Sequence, residues 1–482
     1  MSIESACCNN SCDNNTISEW IKSDEYKEKN FSREALTINP AKACQPLGAM
    51  LCALGIEGCL PFVHGSQGCA AYFRNNLSRH LREPVPTVSD SMTEDAAVFG
   101  GQANMIDGLK NAHALYHPAM MAVFTTCMAE VIGDDLKAFI TNARSQGAIP
   151  EDFPIAFAHT PSFVGSHITG WDNMFKGLLQ SLADPRHGKW TNGRLYIVPG
   201  FDAYPANLRE YRRLVNAMGI PVTILPDASE PMDAPHTGEY ELYPGGTPMS
   251  ELADALNASG FIFMQKYSTL NSFKFVKNVQ KINTEVVTMP IGIKNTDNFL
   301  MALTEMTGKA IPAELERERG RAVDAATDAH QYIHGRRFAL FGDPDLLLGV
   351  TGFLLEMGGI PVHIVCTNGN AKFQKEMQAL LATSPFGTEG KVYIGKDLWH
   401  LHSLLMTEPV DMLIGDSHGK YLAKDAGIPL ARVGFPLTDR VNLHRSPIVG
   451  YQGAINLISL IANTFIEELD RTCPDERFEL LR

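Results

Sequence analysis

R-F-A-L-F-G-D-P-D-L-L-L-G-V-T-G-F-L-L-E-M-G-G-I-P-V-H-I-V-C-T, residues 337–367, carries the fold in miniature. Residues 337–342 form a short apolar run that ends on Gly342 and Asp343, and residues 346–357 repeat apolar side chains at helical spacing. Gly358 and Gly359 stop that helix, and residues 362–367 are a second apolar, β-branched run. A strand, a crossover helix and a second strand within about 30 residues is a βαβ unit, whose two strands run parallel. The alternation extends in both directions. Strand-like runs recur at residues 121–127, 155–159, 194–199, 222–226, 261–265, 286–291, 392–395, 412–415 and 430–435. Amphipathic helical segments include residues 208–218, 314–334 and 453–469. At about 150 residues per domain, 482 residues hold about three such units. The expected fold class is α/β: three Rossmann-like domains with parallel sheets flanked by helices, plus a short N-terminal extension. The expected spans are 1–35 for the extension, 36–188, 189–312, and 313–482 with the C-terminal helices.

Composition narrows the function classes. Forty-one Lys and Arg against 54 Asp and Glu give a net charge of −13, which repels a phosphate backbone and excludes non-specific nucleic-acid or acidic-membrane binding. A basic protein partner suits this charge. No apolar run reaches the roughly 20 residues of a spanning helix. The N-terminal sequence has neither the basic nor the apolar region of a signal peptide, so a cytoplasmic location is expected. Ten cysteines in a reducing compartment are then buried thiols or metal ligands and not disulfides.

Several strand-like runs end in Gly, Asp or Asn, as in V-P-G-F-D, I-V-C-T-N-G-N and L-I-G-D-S-H-G. Open α/β sheets bind their ligands at such carboxyl ends; plain turn chemistry accounts for the same residues. There is no G-x-G-x-x-G after a strand and no G-x-x-x-x-G-K-[ST]. The nearest approach, G-D-S-H-G-K-Y at residues 415–421, is too short and has Tyr421 where a Mg²⁺-binding hydroxyl is needed. If ATP is used, another chain hydrolyses it.

Three cysteines stand at turns: Cys44 in N-P-A-K-A-C-Q-P-L-G-A, Cys69 in V-H-G-S-Q-G-C-A-A-Y-F-R, and Cys127 in V-F-T-T-C-M-A-E-V-I-G-D-D. Iron–sulfur chemistry needs thiolate ligands and backbone N–H groups close to sulfur, and glycines such as Gly65 and Gly68 allow that approach. Spacings of 25 and 58 residues match no zinc or ferredoxin pattern. Three ligands are also too few for a cluster of four or more irons, so a second subunit would complete it. Cys52, Cys59, Cys366 and Cys473 read as buried reduced thiols, and Cys7, Cys8 and Cys12 as incidental thiols of a tail. The basic run Arg74, Arg79, His80 and Arg82 reads as a solvated face or a subunit contact. There is no acid/base or nucleophile constellation, so no catalytic residue is assigned to this chain.

H-G-S-Q-G-C-A-A-Y-F-R, S-D-S-M-T-E-D-A-A-V-F-G-G, T-T-C-M-A-E-V-I-G-D-D and H-T-P-S-F-V-G-S-H-I-T-G-W-D-N-M resemble the β chains of nitrogenase molybdenum–iron proteins. Further similarity at R-F-A-L-F-G-D-P-D, V-Y-I-G-K-D-L-W-H-L and L-H-R-S-P-I-V-G-Y-Q-G-A extends the likeness from about Trp20 to the C-terminus. The resemblance implies that Cys44, Cys69 and Cys127 bind the P-cluster, an [8Fe-7S] relay shared with an α chain in an α₂β₂ heterotetramer, and that Cys69 bridges its halves. It implies that Ser162 joins the oxidised cluster, which fits the harder, more Lewis-acidic iron left by electron loss. By the same resemblance Tyr72 and Phe73 lie beside the cluster and Phe99 lies where the ATP-hydrolysing iron protein docks. Glu83, Asp324 and Asp328 are implied to hold a lone divalent cation between two β chains; the spacing of four puts both aspartates on one helix face. The iron–molybdenum cofactor that reduces dinitrogen to ammonia would belong to α, and MgATP to the iron protein. The competing readings are a β-like chain of the cofactor-assembly scaffold, a vanadium or iron-only nitrogenase β chain, and a plain ligand-binding α/β protein with reduced cysteines. Cys127 and Ser162 together with T-E-D-A-A-V-F-G-G favour the molybdenum–iron complex over the scaffold.

Overall fold

The computed structural model describes residues 19–33, 38–185, 191–280 and 282–473. Cys7, Cys8 and Cys12 lie outside them. Three parallel sheets follow one another along the chain. The first joins β1 (Cys59–His64), β2 (Val88–Ser89), β3 (Met120–Thr125) and β4 (Ile155–Ala158) in the order β2-β1-β3-β4. The second joins β5 (Leu195–Val198), β6 (Val222–Ile224), β7 (Gly260–Phe263) and β8 (Thr284–Val286) in the order β6-β5-β7-β8. The third joins β9 (Arg337–Phe341), β10 (Ile360–Cys366), β11 (Lys391–Ile394), β12 (Met412–Gly415) and β13 (Leu430–Arg432) in the order β11-β10-β9-β12-β13. The α/β reading therefore holds, and the 337–367 stretch is the central β9–helix–β10 unit, with its helix at Pro344–Glu356.

Two strands escape the periodicity argument. β1, C-L-P-F-V-H, is a central strand although Pro61 sits in it opposite Ala122. A proline ordinarily argues against a central strand because it cannot donate to the ladder. Burial overrides that here, since Phe62 and Val63 are fully covered and a buried Phe or Val side chain contributes about 1.5–3 kcal/mol. β2 has only two residues, too few to show a period. The strand expected at 286–291 lies earlier in the chain, as β8, and shares only Val286 with that run; residues 287–291 form no strand.

Near the N-terminus, the helix Asp24–Phe31 begins at Ser23, whose hydroxyl accepts from Tyr26 N, and packs on the helix Leu398–Thr407. Asn30 donates to Trp399 O at 2.6 Å, and Arg33 forms a two-pronged pair with Asp397 at 3.1 Å. His80 departs from the solvated-face reading of its basic run. It is buried, its Nε2 donates to Ala203 O at 2.8 Å and its Nδ1 accepts from Leu437 N at 2.8 Å, so it ties the segments after β5 and β13 to the first sheet's helix layer. Burial pushes its pKa down to about 3, which keeps the ring neutral. No helix among the described residues is long and apolar enough to cross a membrane.

Candidate metal centre

The strand order of the first sheet reverses between β1 and β3, and loops at the carboxyl ends of such a pair form the crevice in which open α/β sheets bind ligands. β1 runs through Gly65 and Ser66 into the helix Gln67–Leu81, with Cys69 in its first turn. β3 runs through Thr126 into the helix Cys127–Ile132, which begins on the second cysteine. β4 leads into the loop that carries Ser162. Cys44 arrives from before the sheet, as the cap of the helix Gln45–Leu54. That helix crosses the helix His167–Leu182 at van der Waals contact. A Cβ on Gly170 would lie 1.8 Å from Gln45 O and one on Gly48 1.7 Å from His167 O, so the crossing that fixes Cys44 admits only glycine.

All three cysteines thus stand at helix N-termini, Cys44 as the cap and Cys69 and Cys127 in first turns, and in none does a capping side chain accept from the exposed N–H groups. In the two longer helices the positive end of the dipole favours an anionic sulfur. Thr126 Oγ1, beside Cys127, is buried without a hydrogen-bond partner among the described residues. The three sulfurs are electrostatic neighbours: burial raises the Cys69 pKa, negative charge on Cys127 and Cys44 raises it further, and a hydrogen bond with Ser66 opposes the rise. They do not converge on one ion, since among the described residues no group of three or more His, Cys, Asp or Glu side chains is placed to hold a single metal ion. The other thiols differ. Cys52, Cys59 and Cys366 are buried and burial pushes each thiol pKa up, whereas Cys44 and Cys69 are half-buried and Cys127 is exposed. This donor set fits an iron–sulfur cluster larger than one ion.

The two glycines have different reasons. A Cβ on Gly65 would meet Thr126 Oγ1 at 2.0 Å, so this glycine serves the contact between the β1 and β3 loops. A Cβ on Gly68 would meet only Ser66 Oγ, at 3.7 Å, leaving room beside Cys69. Of the adjoining aromatics, Tyr72 is exposed and Phe73 is core, the rings in edge contact at 5.6 Å between centroids. Exposed apolar side chains lie within a few residues of Cys69, Cys127 and Ser162 in sequence: Tyr72 after Cys69, Val131 after Cys127, and Phe163 and Val164 after Ser162. Phe99 is 86% exposed at the end of the short helix Glu94–Phe99. Asp324 and Asp328 are exposed on the helix Ala313–Ile333, and Glu83 pairs with Arg445 at 3.5 Å. Within one chain these three carboxylates do not assemble into a metal-holding group.

Sequence reasoning passed over the residues that brace the site. Buried His64, at the end of β1, bonds Asp90 through Nδ1 and Asp134 through Nε2, the latter at 3.0 Å. Asp90 accepts from Gly65 N at 2.9 Å, Asp134 from Gly101 N at 3.2 Å, and His64 O from Thr126 N at 3.0 Å. One residue therefore joins the Cys69 loop, the Cys127 loop and the glycines behind Phe99. Thr125 donates to Glu130 and accepts from Thr160 N at 2.8 Å, stitching the Ser162 loop to the Cys127 helix. His64, Asp90, Thr125, Glu130 and Asp134 all lie inside the quoted motifs, and their polarity beside apolar strand ends was the available signal.

Comparison with known proteins shows the family. The family model for nitrogenase component 1 type oxidoreductases matches residues 44–466, and the chain belongs to that family. Similar relatives include the nitrogenase molybdenum-iron protein beta chain of Nostoc sp. strain PCC 7120, 57% identical over 97% of this chain and 92% of the relative. That of Azotobacter vinelandii is 52% identical over 94% and 89%. A solved chain of nitrogenase Cp1 at pH 6.5 superposes with a TM-score of 0.90 at 43% identity, covering 94% of this chain and 98% of the other. Another, of nitrogenase Cp1 at pH 5, shares the fold at 15% identity with a TM-score of 0.70.

Proposed function

We propose that the chain is the β subunit of a molybdenum–iron nitrogenase component and that Cys44, Cys69 and Cys127, with cysteines of an α chain, hold an [8Fe-7S] P-cluster. The observation that carries this reading is the gathering of the three thiols at the N-terminal ends of helices on the switch-point edge of the first sheet, with exposed apolar side chains close by in the same segments. A cluster bound there supplies one-electron transfer between the iron protein and the iron–molybdenum cofactor of α, where dinitrogen becomes ammonia. The chain's own part is to ligate and to insulate. Cys44, Cys69 and Cys127 would supply the thiolates that hold the cluster, Cys69 as the bridging one, and Gly65 and Gly68 shape the Cys69 turn. Helix N–H groups lower the cost of negative charge on sulfur. Phe73 closes the core beneath Cys69 and Tyr72 excludes water once α covers it. Ser162 would remain a neutral hydroxyl beside reduced iron and would join the ligands once electron loss hardens the iron.

The exposed apolar side chains of these segments suit a permanent interface with α, and Phe99, projecting from the glycines beyond them, suits transient docking of the iron protein. MgATP is hydrolysed on that partner. Asp324 and Asp328, both exposed, with Glu83, would hold a lone divalent cation between two β chains. The test is metal analysis with electron paramagnetic resonance of the complex purified with α in the absence of oxygen. An eight-iron relay beside molybdenum is expected; a colourless, iron-free complex would overturn the reading, and a smaller cluster would make the chain an assembly scaffold.

A further inference from the structure

We propose that Gln45 is a positioning residue for Ser162, holding the serine loop at the distance from which its oxygen reaches oxidised iron. This rests on the reading of Ser162 as a ligand of the oxidised cluster. Gln45 follows Cys44 directly and is only 3% exposed. Its side-chain amide spans the loop: Nε2 donates to Pro161 O at 3.0 Å and to Val164 O at 2.6 Å, the carbonyls that flank Ser162 and Phe163. Both N–H bonds of the amide are used. Its Oε1 accepts from Asn173 Nδ2 at 3.1 Å, which fixes the amide with its NH₂ toward the loop, and Asn173 also donates to His159 O at 3.3 Å.

On the other side, Thr160 bonds Thr125 through its N–H at 2.8 Å and through its hydroxyl to Thr125 O at 2.6 Å. The serine loop therefore hangs between two stitches. One ends two residues before Cys127 and the other on the residue after Cys44, so the frame that sets two thiolates also sets the serine. Residues 161–166 belong to no strand or helix; beyond the loop His167 N donates to Ala43 O at 2.9 Å and Asn368 Nδ2 donates to Ser166 Oγ at 3.3 Å, and the Gln45 amide is the contact made to the carbonyls on either side of Ser162 and Phe163. With iron bound and oxidised by a redox dye, the Ser162 hydroxyl would give its proton to water as its oxygen became a ligand, and re-reduction by dithionite would release the oxygen and return a proton to it. Only this second geometry demands that the loop be held in place.

Gln45→Glu is the sharpest variant, because it keeps size and the acceptor toward Asn173 while replacing the donor by an oxygen that faces two carbonyls. In the α-paired complex, iron content and the spectrum of the dithionite-reduced cluster should match wild type. Titration with redox dyes should show about tenfold weaker serine ligation to the oxidised state, a rise in midpoint of about 59 mV for a one-electron couple. The oxidised-state paramagnetic signal should change, and amides 162–165 should exchange hydrogen faster in the same complex. Asn173→Ala, which frees the amide to rotate, should do the same to a smaller extent. In a Ser162→Ala background, Gln45→Glu should add no further shift, since residues acting through one another are not additive.

A wild-type midpoint and exchange rate in Gln45→Glu would overturn the proposal, as would a shift that persists without Ser162. Loss of iron in both Gln45→Glu and Asn173→Ala would also overturn it, making Gln45 part of the cluster's frame. If Ser162→Ala itself leaves the oxidised midpoint unchanged, the ligand reading of Ser162 fails and takes this inference with it, while the three-cysteine reading stands.

Discussion

Replacing His64 by Leu tests whether one buried cation braces the cysteine loops and the glycines behind Phe99. The Asp90 side chain is fully buried and that of Asp134 is 4% exposed, and His64 lies between them. Leu fills similar space but removes the charge and both hydrogen bonds, leaving each carboxylate only its backbone donor, Gly65 N or Gly101 N. Breaking a buried ion pair by deleting one partner costs about 3–5 kcal/mol, a large part of the roughly 5–15 kcal/mol that holds a domain folded. Three sheets make a single two-state unfolding energy ill-defined, so the local readout is native-state hydrogen exchange at Gly65 and Gly101 in the α-paired complex. At 1.4 kcal/mol per factor of ten, exchange should be at least about a hundredfold faster.

The same triad predicts a pH dependence. Burial alone would lower the His64 pKa, but Asp90 and then Asp134 outweigh it and the pKa is raised above 6.5. The stabilisation is therefore fully present below the ordinary histidine value and is lost as pH rises through the raised one. Wild-type protection at Gly65 and Gly101, corrected for intrinsic exchange, should fall along that rise, and the Leu variant should not follow it. Adding Asp134→Asn to His64→Leu should recover part of the loss, because a neutral amide needs no cation. Protection within twofold of wild type in His64→Leu would refute the bracing role.

Cys69→Ala should abolish the relay and deplete iron, because a bridging thiolate has no substitute, whereas Cys366→Ala, at a buried and chemically inert thiol, should keep wild-type iron; iron analysis of both decides it. Phe99→Arg places a solvated charge at an exposed aromatic and should weaken docking of the iron protein by about 2 kcal/mol or more while leaving the cluster spectrum normal, as stopped-flow electron delivery would show. The chain produced without α should be iron-poor and self-associating, because three thiolates cannot ligate eight irons and the exposed apolar side chains stay uncovered. Light scattering and metal analysis test this, and ATP-dependent ammonia formation by the chain alone would refute the division of labour.

The sequence by itself determined the fold class and singled out candidate ligands. Apolar runs alternating with helical periods specify parallel α/β units because that pattern is local, and residues 337–367 became a strand, helix and strand within a residue or two of their reading. Cys44, Cys69 and Cys127 stood out as candidates at turns, whereas Ser162, a turn serine by its own sequence, was named only by the family resemblance. Asp324 and Asp328 share a helix face by spacing alone. Only the tertiary structure decided what depends on distant segments meeting. It made the proline-bearing run at 59–64 a central strand, because partners on both sides bury it, and set that strand beside β3 so that Cys69 and Cys127 share one edge. It buried His80 among segments more than a hundred residues away, and it left Phe99 exposed while making Phe73 core. His64, Asp90, Asp134 and Gln45 look like ordinary polar residues until the chain folds. A polar side chain declares its role through the partner that satisfies it in a dry interior, and sequence spacing carries no record of a partner brought there by the packing of sheets.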